Sequence, residues 1–237
     1  MWSEDEIKAK MGKVHCMDCM DFMVNIPDNY FDLICCDPPY GINASNASWN
    51  YYSSPFGGSK AKTKNAATYA SSYEIKDWDK SKPTNEIFEQ IIRISKNQII
   101  FGGNYFIESL HNSSCWLFWD KDNGDNDFAD GELAWTSFKT AVRKYKYRWN
   151  GMLQQDMANK ETRYHPTQKP VELFKLILRD YAKEGFKVYD PFVGSGTTPL
   201  ACEGLPHLKL EWVGTELEPD YVAIANKRLE KVQGSLF

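Results

Sequence analysis

No stretch of this chain of 237 residues approaches the roughly 18 consecutive apolar residues needed to cross a bilayer. The opening residues, MWSEDEIKAKMGK, carry charges where a secretory signal would carry its apolar segment. A soluble, cytoplasmic protein with no membrane partner is expected. Cysteine is too sparse and too scattered for a disulfide framework: there are six, at 16, 19, 35, 36, 115 and 202. Cys16 and Cys19 have zinc-ligand spacing in CMDC, but no second paired knuckle follows, and Cys35 and Cys36 lie inside an apolar run. Small buried side chains explain them better than a metal, and none is expected. The acidic segment DKDNGDNDFADGE (120–132) does not place its acids and glycine at the positions of a calcium loop, so it reads as a polar loop. Net positive charge is also lacking, at -4 overall, which removes the whole-chain basic footprint of many nucleic-acid binders. No internal repeat and no clear second domain is visible.

What is present is an alternation. Short β-rich runs recur at Val14 to Cys16, Phe31 to Cys36, Gln98 to Phe101, Cys115 to Trp119, Phe186 to Tyr189 and Glu211 to Gly214. Between them lie helical patterns. PTNEIFEQIIRISK opens with Pro83 and repeats Ile87, Ile91 and Ile94; PVELFKLILRDYAKEG repeats Val171, Phe174, Leu178 and Tyr181 and stops at Gly185; EPDYVAIANKRLEKV follows near the end. Strands alternating with helices predict an α/β fold, a mostly parallel twisted sheet with helices on both faces and ligands at the carboxyl ends of its strands.

Two stretches carry chemistry. In LICCDPPYG (33–41) an apolar strand ends in Asp37, and Pro38 and Pro39 force a stiff extended exit, because neither donates a backbone hydrogen bond and each disfavours helix before it. In VYDPFVGSGTTPLACEG (188–204) a strand ends at Asp190, a tight turn runs through Gly194, Ser195 and Gly196, and a helix starts near Thr197. Glycines let a ligand approach the backbone, and free amides at a helix start favour an anionic group. A phosphate loop needs Lys after its last glycine, and this turn has Thr, so the nucleoside-triphosphatase reading falls away. About 20 residues on, Glu216 in WVGTELEP ends another strand, at the distance of an acid that receives ribose hydroxyls. From this half alone a nicotinamide dinucleotide site stays open.

Taken together, DPPY (37–40), HPTQKPVELF (165–174), DPFVGSGTT (190–198) and GTELEPDYVAIANKRL (214–229) resemble the S-adenosylmethionine-dependent amino-methyltransferases of DNA, in the permuted order called beta. HCMDCMDFM (15–23) and GELAWTSF (131–138) are weaker matches, and the likeness covers most of the chain apart from 43–82. The resemblance implies a Rossmann-like methyltransferase fold in a single domain, S-adenosylmethionine as cofactor and double-stranded DNA as partner. It implies catalytic roles for Asp37, Pro38, Pro39 and Tyr40: the Asp37 carboxylate and the Pro38 carbonyl accept from the exocyclic amine of a base flipped out of the duplex, and Tyr40 stacks on that base. It further implies a cofactor pocket formed by Asp18, Asp37, His165, Thr167, Gln168, Lys169, Asp190, Phe192, Gly194, Ser195, Gly196, Thr197, Thr198 and Glu216, with Lys169 pairing the methionine carboxylate. Asp18 is equally well read as a helix cap.

Asp at the head of DPPY implies adenine N6 as target, with cytosine N4, where Ser is commoner at that position, as the nearest rival. RNA or protein-glutamine methylation and a non-catalytic DNA-binding protein of the same fold are further alternatives. A lid-like insertion is expected at about 43–75 and a short target-recognition region at about 120–164. Within KTAVRKYKYR (139–148) five residues are basic and none acidic, and Lys144, Lys146 and Arg148 alternate with Tyr145, Tyr147 and Trp149. Lys139, Arg143, Lys144, Lys146 and Arg148 are the expected DNA contacts, although a lysine-guarded sheet edge explains the same pattern. A homodimer and a cognate restriction enzyme, in a restriction-modification pair, are the other candidate partners.

Overall fold

The structure, a computed structural model, describes residues 1–42, 81–124, 129–150, 153–164 and 167–233. The insertion at 43–75 and His165 lie outside these residues. In chain order the elements are α1 (Glu4–Lys8), β1 (Val14–Cys16), α2 (Cys19–Met23), β2 (Leu33–Cys36), α3 (Asn85–Ile94), β3 (Gln98–Phe101), β4 (Trp116–Asp120), β5 (Gly131–Thr136), β6 (Arg143–Lys146), β7 (Trp149–Asn150), β8 (Leu153–Gln154), α4 (Val171–Tyr181), β9 (Lys187–Asp190), α5 (Thr197–Glu203), β10 (Glu211–Glu216) and α6 (Pro219–Gln233). Eight strands form one sheet in the order β1, β10, β9, β2, β3, β5, β4, β6, and β7 pairs with β8 in a separate hairpin. Neighbours from β1 to β3 are parallel. β5 runs antiparallel to β3 and β4, and β6 parallel to β4.

The sequence of β2 shows why helices cover both faces. All four of its residues are buried, and they alternate: Leu33 and Cys35 join a core layer with Phe174 and Leu178 of α4 and Ala225 of α6, whereas Ile34 and Cys36 join the opposite layer with Phe22 of α2 and Ile91 of α3. A strand apolar on both faces has no side to give to water, so it lies in the middle of the sheet. Burial of Leu33 and of Ile34 contributes about 1.5–3 kcal/mol each. In α3 the buried face is Phe88, Ile91 and Ile94, with Ile87 only half-buried, one position off the expected stripe. In the second layer Tyr189 of β9 is stacked between Phe22 and Phe31, with 5.0 Å between ring centroids on each side, and its hydroxyl meets the Thr215 hydroxyl at 2.9 Å.

Parallel registers bring the carboxyl ends together. Cys16 of β1 lies opposite Glu216 of β10, Gly214 opposite Asp190 of β9, and Ile34 of β2 opposite Tyr189. Asp18, Glu216, the turn after Asp190 and the turn after Cys36 therefore line one edge of the sheet. β5 was not among the expected strands. Its insertion makes residues 131–136 part of the main sheet, and β6 does the same for 143–146, so two stretches of the span expected to recognise the target are strands of that sheet.

Candidate active site

Asp37 leaves β2 with its side chain 23% exposed, and both carboxylate oxygens are engaged. Oδ1 accepts from the Tyr40 hydroxyl at 2.7 Å and Oδ2 from the Lys169 ammonium at 2.7 Å. The Tyr40 ring lies flat on Tyr105, with centroids 4.8 Å apart, and edge-on to Phe106. Gly102, at φ +65°, makes this packing fit: a Cβ there would stand 2.1 Å from the Tyr40 ring. The expected stacking residue is thus held by a ring of its own on one face and by Asp37 at its hydroxyl.

A second carboxylate completes the cluster. Glu132 of β5 approaches Lys169 Nζ at 3.1 Å and accepts from the Tyr40 hydroxyl at 3.3 Å through Oε2, while Lys121 Nζ sits 2.6 Å from Oε1. Burial raises the Asp37 carboxyl above the usual carboxylate range, with Lys169 pulling the other way. For Glu132 the net sign reverses: burial is again the largest single effect, but Lys169 and Lys121 together outweigh it, and its carboxyl is held at about 2. Burial alone would lower the Lys169 ammonium, but Asp37 and Glu132 together raise it. Lys169 therefore bridges two site carboxylates, Asp37 and Glu132, which both favour its charged form.

The glycine turn stands one strand away from Asp37. Asp190 is buried, accepts from the Phe192 amide at 2.9 Å, and is pushed up by burial to about 7. Gly194, at φ +53°, donates its amide to Glu216 Oε2 at 2.8 Å, and Glu216 Oε1 accepts from the Glu218 amide at 2.9 Å. Burial raises the Glu216 carboxyl. A Cβ at Gly194 would meet nothing within 4 Å, so bare backbone faces open space beside a strand-end acid. That is the form a cofactor with a ribose and a charged amino-acid end requires, and the residues fit S-adenosylmethionine. The hydroxyls of Thr197 and Thr198, at the start of α5, turn inward to the carbonyls of Lys169 and Cys35.

Gln168 and Ser195, expected at the cofactor pocket, take part in a buried polar network. Arg228 of α6 donates to the Ser195 carbonyl and, at 2.7 Å, to Glu161; Gln168 donates to Glu161 at 2.7 Å, and its carbonyl oxygen accepts from the Tyr164 amide at 2.9 Å. The network satisfies their buried polar groups. Thr167 is half-buried in the same segment. Asp18 caps α2, accepting from the Met20 amide at 2.7 Å, which realises the cap reading.

The basic strand is an edge strand, and three of the cations in and just after it are paired. Lys144 meets Asp120 at 3.2 Å, and Asp122 holds Lys146 at 2.9 Å and Arg148 at 2.6 Å. Tyr145 and Tyr147 pack against the core on the other face, so the expected alternation is present. Lys139 and Arg143 are exposed. Sequence reasoning assigned no role to Glu132, Lys121, Glu161 or Arg228 individually. Glu132 stands in the weakly matching stretch GELAWTSF, and a single glutamate there carries no distinguishing signal.

The sequence matches the DNA methylase family over residues 60–227, more than half of the chain. The chain belongs to this family. M2.DpnII, a type II methyltransferase of Streptococcus pneumoniae, is 28% identical to this DNA methylase in an alignment covering 94% of this chain and 91% of the relative. M.HinfI of Haemophilus influenzae, also a type II methyltransferase, is 25% identical over 91% of this chain and 67% of its own length. Among solved structures the M1.HpyAVI-SAM complex superposes with a TM-score of 0.52 at 21% identity, covering 91% of this chain and 98% of that one. The PvuII DNA methyltransferase, described as cytosine-N4-specific, gives 0.56 at 14% identity over 93% and 89%. At such identities the likeness establishes the Rossmann-like methyltransferase fold alone. No helix among the described residues is long and apolar enough to cross a membrane.

Proposed function

We propose that this DNA methylase transfers a methyl group to the exocyclic N6 of adenine in a short sequence of double-stranded DNA. The observation that carries the reading is the Asp37 carboxylate at the end of β2, one strand from the open glycine turn at the end of β9. S-adenosylmethionine, bound by that turn and Glu216, supplies an electrophilic methyl on a sulfonium. The chain's own task is to make a weak nucleophile attack. An aromatic amine delocalises its lone pair into the ring, and acceptors fixed at its hydrogens draw it toward a tetrahedral nitrogen and disperse the charge that develops. Asp37 and the Pro38 carbonyl are such acceptors, and the two prolines keep them from drifting. A flipped base replaces the stacking it had in the duplex, at a cost of a few kcal/mol, with stacking on Tyr40.

Asp as the first residue of DPPY supports adenine over cytosine. The type II designation of the relatives supports a short specific site, and with it a cognate restriction enzyme as partner.

Incubation with labelled S-adenosylmethionine and unmethylated DNA, then digestion to nucleosides, is expected to place the label in N6-methyladenine. Label in N4-methylcytosine, or none in DNA, overturns the adenine assignment. Asp37→Ala is expected to lower kcat by at least about 10²-fold while S-adenosylhomocysteine still binds.

A further inference from the structure

We infer that Glu132 is a positioning residue that draws the Lys169 ammonium and the Tyr40 hydroxyl off Asp37, so that the Asp37 carboxylate is free to receive the target amine. The inference rests on the reading of Asp37 as the acceptor for that amine. With its present partners Asp37 is a poor acceptor: one oxygen holds Tyr40 and the other a lysine cation, each at 2.7 Å. A cation fixed there also opposes the positive charge that grows on the amine. Glu132 Oε2 already lies 3.3 Å and 3.1 Å from the same two donors. A small movement passes both from one carboxylate to the other, with no covalent bond made or broken. Lys121, 2.6 Å from the far oxygen of Glu132, keeps the receiving carboxylate ionised and fixed.

The geometry is that of a shared cation between two acceptors on different elements, one on the turn after β2 and one on β5. Lys169 itself comes from the segment before α4, is 5% exposed, and lies over the rings of Tyr40 and Phe101 at 5.3 and 5.9 Å. A lysine so buried has no bulk water to escape to, so it trades partners inside the cluster. The other titratable groups that feel the Asp37 charge are Asp190 on β9 and the thiols of Cys35 and Cys36, whose ionisation burial opposes.

The full chain is assayed for kcat, for the KM of S-adenosylmethionine and for the acid limb of kcat against pH, with thermal melting alongside. Glu132→Gln keeps the shape and removes the charge. It is expected to lower kcat at least about tenfold with KM within about threefold, and to move the acid limb to lower pH, because the Glu132 charge raises the Asp37 carboxyl and Lys169 now serves Asp37 alone. Lys121→Gln acts in the opposite sense: Glu132 competes harder for Lys169, and the acid limb moves to higher pH. Opposed displacements are not the signature of a residue that only stabilises the fold, and Lys121→Gln keeps the test open should Glu132→Gln melt below the assay temperature. Unmoved acid limbs in the folded variants, with Asp37→Ala inactive, overturn the role of Glu132 alone. Full activity of Asp37→Ala overturns the reading beneath it.

Discussion

Asp190 is 3% exposed, and burial raises its carboxyl from 3.8 to about 7. A carboxyl raised in the folded state binds more protons there than in the unfolded chain. Its contribution to stability is therefore full below pH 3.8, declines as pH rises, and is gone once pH passes about 7. Asp190→Asn retains an acceptor for the Phe192 amide and removes the charge. Its melting temperature is expected to match the wild type near pH 4 and to exceed it at pH 8, by a stability difference of roughly 1–3 kcal/mol. Melting temperatures across that range check the sign, and equal curves at both ends count against burial as the cause. Gly102 makes a separate demand. A methyl at its Cβ position collides with the Tyr40 ring at 2.1 Å, and φ +65° strains any other residue. Gly102→Ala is expected to lower kcat roughly 10- to 100-fold through displacement of Tyr40, with S-adenosylhomocysteine binding retained in calorimetry. Asp37, Tyr40, Asp190 and Glu216 were legible from sequence because each stands beside its own turn chemistry. Glu132 was not, since its meaning comes from Tyr40, 92 positions away, and from Lys169, whose own partner Asp37 is 132 positions distant.

At the level of elements, α6 reaches back over the sheet edge and fastens the segment before α4. Arg228, 8% exposed, ties the Ser195 turn to Glu161, and Glu161 Oε2 in turn accepts from the Val171 amide at 3.0 Å at the start of α4. One arginine therefore couples α6, the cofactor turn and α4. Removing one partner of a buried pair costs on the order of 3–5 kcal/mol, because the other charge is left behind. Arg228→Met keeps the apolar stem and is expected to destabilise the protein by an amount of that order. Hydrogen exchange in 161–169 is expected to rise more than exchange in β2 or β3, and a uniform rise over all three argues against a local latch. The alternation of strands and helices announced α3, α6 and the parallel strands within a residue or two, and α4 as well, although α4 ends at Tyr181, four residues before the expected stop at Gly185. β5 escaped notice because GELAWT, half-exposed at one end and buried at the other, has neither strict alternation nor a continuous apolar run.

Across the whole molecule, a net charge of -4 has to coexist with binding to a polyanion. β6, at the far edge of the sheet, concentrates cations, but Asp120 and Asp122 occupy Lys144, Lys146 and Arg148. Such exposed pairs are weak and screened by salt, so phosphates compete for the cations on nearly equal terms. A DNA contact through this face would be modest and salt-sensitive. The charge pattern was legible in the sequence; the acids that temper it were not, because Asp120 and Asp122 stand more than twenty positions before the lysines they meet. If β6 lies on phosphates, the double variant Lys144→Ala/Lys146→Ala flattens the slope of log K against log salt by about 2 units, roughly one for each phosphate that is no longer neutralised. Asp122→Asn frees Lys146 and Arg148 and is expected to tighten non-specific DNA binding and to steepen the same slope. Titrations with a labelled duplex over a series of salt concentrations measure both variants. A slope unchanged in the two of them removes β6 from the DNA-binding surface and leaves its lysines the task of guarding a sheet edge.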